Sequence, residues 1–148
     1  MPSILLRCFL GFIAGAIAVL TFHQGMVALL HTVSPNWVPF APYRTTPVPP
    51  FGVPTIVSNC FWGGVWGVGY GVFVPRFTWP QWLSGLLLGC LAAAAGWFIV
   101  APLKGMVLAA GWKPLAMLRS LLINGAFGVG VGLILPLLMP RSLARVHP

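Results

Sequence analysis

Cations divide this chain into four windows that carry no charged side chain, at residues 8–43, 45–75, 77–103 and 120–140. Each window holds the roughly 20 residues that a helix needs to cross the hydrocarbon core of a bilayer. Lipid cannot satisfy backbone N–H and C=O groups, so only helices and closed barrels span it. A membrane barrel requires segments of about ten residues that alternate apolar and polar side chains, and these windows hold continuous apolar runs instead. The expected fold is all-α: a polytopic membrane protein, a four-transmembrane-helix bundle, forming one membrane domain over residues 1–148. Pro, Trp and the cations set the spans at about 4–30, 53–74, 82–100 and 115–139.

Composition excludes the soluble alternative. Hydrophobic residues make up 59% of the chain and charged residues 5%, against about 25% charged in a typical soluble domain. All of the charge is positive, with eight Lys and Arg and no Asp or Glu. That zero removes paired-acid hydrolysis, Ser-His-Asp triads, carboxylate metal sites and carboxylate proton relays. It also leaves the cations without an internal counter-charge, so anionic membrane lipids are the expected partners. The cations form no run or stripe, which argues against nucleic-acid binding.

Four spans place both termini on one face with Arg7, Arg76, Arg141 and Arg145, and put Arg44, Lys104, Lys113 and Arg119 on the other. The count is tied. Arg7 and the free amino group flank the first span and incline the reading towards cytoplasmic termini. The first apolar run is longer than a signal-peptide core and has no polar cleavage region before Thr21-Phe22-His23-Gln24, so it is read as a retained helix.

Loop 1, residues 31–52, interleaves Pro35, Pro39, Pro42, Pro47, Pro49 and Pro50 with Trp37, Phe40, Tyr43 and Phe51. Proline fixes φ and removes donors, so the segment should be extended and stiff, with little helix or sheet. It reads as a rigid cap over the bundle, or as a docking surface for a proline-recognising partner. Its rings, with Phe77, Trp79 and Trp82 of loop 2, suit an interfacial belt. In loop 3, residues 106–110 suit a short interfacial or re-entrant piece between Lys104 and Lys113.

Every span carries small residues four apart: Gly11 and Gly15; Gly63, Gly67 and Gly71; Gly85 and Gly89, with Ala92 and Gly96; Gly128 and Gly132. That spacing puts each set on one helical face and lets another backbone approach closely, within the bundle or between copies in a homo-oligomer. Gly67-Val68-Gly69-Tyr70-Gly71 resembles a potassium-channel filter, but a filter needs a non-helical loop at a symmetry axis. Here the leading Thr is replaced by Gly within an apolar run, which reads as a glycine ridge on a packed helix. Cys8, Cys60 and Cys90 are widely spaced and suit small apolar packing residues rather than a zinc site or disulfide framework. His23 and His31 lie about 12 Å apart along one helix and His147 lies in the tail, so no pair of spans offers two axial haem ligands. No metal or cofactor is expected.

Comparing depths gives the strongest site signal. Successive helices run antiparallel, so His23, Gln24, Ser58, Asn59 and Asn124 fall in one layer about 8–10 Å below the face that carries loops 1 and 3. Arg44, Lys104, Lys113 and Arg119 lie above that layer. Intramembrane polar groups face the bundle interior or a cavity. The layer therefore reads either as interhelical hydrogen bonds joining the first, second and fourth spans, or as a cation-rimmed pocket for an anionic lipid headgroup, a quinone or a small anion.

Thr21-Phe22-His23-Gln24, Pro50-Phe51-Gly52-Val53-Pro54 and Phe61-Trp62-Gly63-Gly64-Val65-Trp66-Gly67 resemble segments of a group of small, uncharacterised integral membrane proteins of proteobacteria. The resemblance covers mainly the first half of the chain. It implies a multi-pass protein of the bacterial inner membrane and carries no activity, cofactor or catalytic residue with it. The functional expectation is a non-enzymatic accessory, scaffold or lipid-associated subunit of an inner-membrane assembly. The alternatives are an oligomeric transporter or channel with an anion-favouring path, and a quinone- or lipid-binding redox accessory.

Overall fold

The computed structural model describes residues 3–73 and 78–140. Arg76, Phe77, Arg141, Arg145 and His147, used above for orientation, interface and ligand readings, lie outside these residues. The described chain is an all-α four-helix bundle: α1 (Ile4–Val33), α2 (Thr55–Phe73), α3 (Gln81–Leu103) and α4 (Pro114–Leu138). It is a multi-pass membrane protein. Helices α1, α3 and α4 are long and apolar enough to cross a bilayer, with mean hydropathies of 2.2, 2.1 and 2.1. Helix α2 has 19 residues but is less apolar, because Ser58, Asn59, Trp62, Trp66 and five glycines dilute its Val and Phe. The outer faces carry Phe9, Leu29, Phe61, Leu91, Ile99 and Leu137, all exposed in the isolated chain and matched to lipid tails rather than water.

Helix ends follow local chemistry. Ser3 caps α1, its hydroxyl accepting the N–H of Leu6 at 3.2 Å, which satisfies one of the orphan donors of a first turn. Helix α1 continues to Val33, past the expected residue 30, because no breaker precedes Ser34-Pro35. Helix α2 begins at Thr55 rather than 53, because Val53–Pro54 (β2) pairs antiparallel with Pro47–Val48 (β1). Loop 1 thus contains a two-residue ladder that its proline content did not suggest. Gly52 closes the hairpin at φ +68, a backbone region that glycine enters without steric cost. In loop 3, the short piece expected at residues 106–110 is displaced towards Trp112. Leu108–Trp112 is a tight turn in which Ala109, Ala110, Gly111 and Trp112 all have positive φ, between 49 and 66.

The helices pack in two close pairs, α1 with α2 and α3 with α4, and the pairs join chiefly through α1 and α4. Each of the four-apart span glycines named above, except Gly96, stands where a partner backbone comes close. A methyl group added at Gly11, Gly15, Gly67 or Gly71 would collide with the carbonyl of Gly67, Gly63, Gly11 or Arg7 respectively, and one at Gly63 would stand 3.0 Å from the Gly15 carbonyl oxygen. Gly85, Gly89, Gly128 and Gly132 meet the carbonyls of Gly128, Asn124, Gly85 and Gln81 in the same way. Such approach supplies van der Waals contact where lipid leaves no hydrophobic drive between helices.

The resulting order is α2, α1, α4, α3, so the outer helices α2 and α3 touch little. They meet near loop 2. Tyr70, 2% exposed, donates its hydroxyl to the Gln81 carbonyl at 2.9 Å and shares a 2.8 Å hydrogen bond with Ser84 Oγ. The Gly67–Gly71 stretch is helical throughout. Around Tyr70, an apolar core of Ala14, Ala18, Leu88, Phe127, Val131 and Leu135 fills the loop-2 half of the bundle.

Candidate ligand cavity beneath loops 1 and 3

On the other half the bundle is hollow. A cavity of about 390 Å³ lies under loops 1 and 3, and a smaller one of about 130 Å³ lies nearer the apolar core. His23, Asn59 and Asn124 line both. The upper cavity is bounded also by Gln24 and Val27 of α1, Thr55 of α2, Trp97 and Ala101 of α3, and Arg119, Ser120 and Ile123 of α4, with Phe40, Arg44, Met106 and Ala110 from the loops. Trp62, Trp66, Ala92 and Phe127 bound the lower one. Such dimensions suit a small molecule or a headgroup.

Two of the walls are shaped by π-helical turns, which add one residue to a turn and re-aim the side chains around it. In α1 the turn is Val19–His23, where the Gln24 N–H reaches the Val19 carbonyl five residues back. In α3 it is Gly96–Val100, where the Ala101 N–H reaches Gly96 in the same way. One turn carries His23 and the other Trp97.

Loop 1 is bound to the helices as a lid. The Trp37 indole N–H donates to the Leu115 carbonyl at 2.9 Å, and Arg119 donates a guanidinium N–H to the Trp37 carbonyl. His31 Nδ1 donates to the Val38 carbonyl at 2.7 Å, and Val38 is fully buried. Tyr43 donates its N–H to Gln24 Oε1 at 2.7 Å and its hydroxyl to the Leu20 carbonyl at 2.7 Å. Phe40 lies under this lid with two guanidinium groups over its ring, Arg44 at 5.1 Å and Arg119 at 5.4 Å. Cation–π contact holds each arginine in place. It does not neutralise them, and the chain has no Asp or Glu to do so.

Of the residues singled out from the sequence, His23, Gln24, Asn59, Asn124 and Arg119 line the cavity, while Ser58 and Lys104 do not. Ser58 sits one helical step, about 100°, from Asn59, and Lys104 is exposed beyond the end of α3. The interhelical polar pairs expected between α1, α2 and α4 are also absent among the described residues. Gln24 Nε2 instead bonds its neighbour His23 Nδ1 at 3.1 Å, and Asn124 Nδ2 donates to the Ser120 carbonyl at 2.9 Å on its own helix. Because Gln24 Oε1 is committed to Tyr43, its amide nitrogen must be the donor to His23 Nδ1. The proton of the neutral imidazole is thereby assigned to Nε2.

No family model, curated protein or solved structure matches this chain. The site therefore rests on its own geometry. Cys8, Cys60 and Cys90 are unpaired, and no group of three or more potential metal ligands occurs among the described residues. Sequence reasoning set Arg44 above the polar layer, where it does line the cavity, and left Phe40 and Trp97 out of the site. Trp97 could have been found by the same depth argument, since it lies seven residues before Lys104. Its indole N–H is buried without a hydrogen-bond partner among the described residues.

Proposed function

We propose that this is a non-enzymatic, lipid-associated accessory protein of the bacterial inner membrane, which holds an anionic amphiphile with its headgroup beneath loop 1. The observation that carries the reading is the pair of guanidinium groups of Arg44 and Arg119 on Phe40, at the rim of a cavity in a chain without side-chain carboxylates. Arginine presents a planar fork that binds phosphate and carboxylate in a bidentate manner, and is more weakly hydrated than lysine. Two of them at the edge of a bilayer need a counter-ion, and anionic lipids are the most abundant source of one.

A conducting path across a single copy is less favoured, because the apolar core around Tyr70, Phe127 and Val131 fills the bundle below the cavity. The test is native mass spectrometry of protein released gently from membranes of mixed lipid composition. Enrichment of anionic over zwitterionic lipid, lost in the double variant Arg44→Gln, Arg119→Gln, is the expected result. Bound lipid that mirrors the membrane and is unchanged by the substitutions would overturn the assignment.

A further inference from the structure

Below the arginines the cavity floor is built from groups that still need partners. Trp97 contributes a buried indole N–H with no acceptor among the described residues. His23 contributes Nε2–H, since its Nδ1 accepts from Gln24, whose own oxygen is held by Tyr43. The Asn59 side chain lines the cavity, and no hydrogen bond within the described residues engages it. Of these, only the Trp97 N–H is buried without an acceptor, while His23 and Asn59 open on the cavity from two other helices, so three helices bring donors to one space that suits a ligand with acceptor oxygens.

The geometry also fixes the side from which that ligand arrives. Loop 1 is hydrogen-bonded across the top, and the apolar core closes the bottom. Helices α2 and α3 meet near loop 2 and touch little elsewhere, and Trp62 on α2, 59% exposed, lines the lower cavity that shares His23, Asn59 and Asn124 with the upper one. Access is therefore lateral, from the bilayer.

We infer that the ligand is a glycerophospholipid with ester-linked chains, its phosphate at Arg44 and Arg119, an acyl ester carbonyl on the Trp97, His23 and Asn59 donors, and its chains leaving between α2 and α3. This rests on the anionic-lipid reading above and deepens it. Asn124 shares the cavity lining with His23 and Asn59 and lies five residues, about 7.5 Å of rise, below Arg119 on α4, so the arginines stand one layer above the donors, as a phosphate stands above the ester groups. A free phosphate would satisfy the arginines and leave the floor unpartnered. The ester carbonyls are strong acceptors, whereas the ether oxygens of an alkyl analogue are weak ones.

The experiment compares retention of ester-linked phosphatidylglycerol with its ether-linked analogue by native mass spectrometry, for the wild-type chain and for Trp97→Phe, Asn59→Leu and Arg44→Gln, with inorganic phosphate as a competitor. The ester lipid should be retained several-fold more than the ether lipid. Trp97→Phe and Asn59→Leu should abolish that preference while keeping the preference for anionic over zwitterionic lipid, and Arg44→Gln should do the reverse. Excess phosphate should not displace the lipid. Equal retention of ester and ether forms by a chain that still selects anionic lipid overturns the inference and leaves the broader reading standing. Displacement by free phosphate overturns the lipid as its source, and loss of all anionic selectivity in the wild-type chain overturns both.

Discussion

Gln24 Oε1 accepts the backbone N–H of Tyr43 at 2.7 Å, joining a helical turn at bilayer depth to the proline-rich loop above it. Gln24 is only 4% exposed, so its amide has no water to fall back on. Replacing it with Leu leaves the Tyr43 N–H without an acceptor and frees the His23 ring. A loss of about 1–3 kcal/mol is expected. Thermal unfolding in mild detergent should show a lower midpoint, with faster proteolysis within loop 1; an unchanged midpoint and cleavage rate would mean that the bond does not hold the lid.

The glycine seams make a sharper contrast. Gly15→Ala places a methyl group against the Gly63 carbonyl, whereas at Gly25 and Gly69 nothing lies within 4 Å of an added Cβ. Overpacking at Gly15 should destabilise the bundle by about 1–3 kcal/mol. Gly25→Ala and Gly69→Ala should be neutral, or stabilising by up to about 1 kcal/mol through helix propensity. Unfolding midpoints that fail to separate the first variant from the other two would refute close packing at that seam.

Tyr70, Ser84 and the Gln81 carbonyl form one small network, so their contributions should not add. Tyr70→Phe should cost about 0.5–1.5 kcal/mol per hydrogen bond lost. Ser84→Ala should cost less when made in that background than alone. A double-mutant cycle on unfolding free energies measures the coupling, and additive effects would contradict the shared network.

Because the grooves at Gly11, Gly15, Gly63, Gly67, Gly71, Gly85, Gly89, Gly128 and Gly132 are filled from within the chain, none of these nine positions is free for self-association. Light scattering corrected for detergent should give the mass of one 15.8 kDa chain across a wide concentration range. A stable dimer would require an interface built on the exposed Phe, Leu and Ile faces instead.

The helices were legible in the sequence because charge-free apolar windows of spanning length leave the backbone few options. Their pairing was not. Four-residue glycine spacing marks a groove on each helix but does not say that Gly15 meets Gly63 or that Gly89 meets Asn124. The reduced apolarity of α2 was visible in Ser58 and Asn59, yet length alone made it look equivalent to its neighbours. For the site, depth counted at a fixed rise per residue grouped His23, Gln24, Asn59 and Asn124, and depth is what antiparallel helices share. Rotation about the axis is what that count lacks. Ser58 therefore falls outside the cavity, while Trp97, hidden in an apolar run, falls on its wall. Arg44 and Phe40 belong to a loop whose path depends on hydrogen bonds to helices far away in the chain.

The π turns at Val19–His23 and Gly96–Val100 divide α1 and α3 into two lengths whose facings are set independently. In an unbroken α-helix, fixing the rotation at one end fixes it at the other. Here the extra residue acts as a phase shift, so that Gly11 and Gly15 can address a neighbouring backbone while His23 addresses open space. Deleting one residue from either turn would restore the ordinary phase and set the two lengths in competition: either the seam or the cavity wall could keep its direction, but not both.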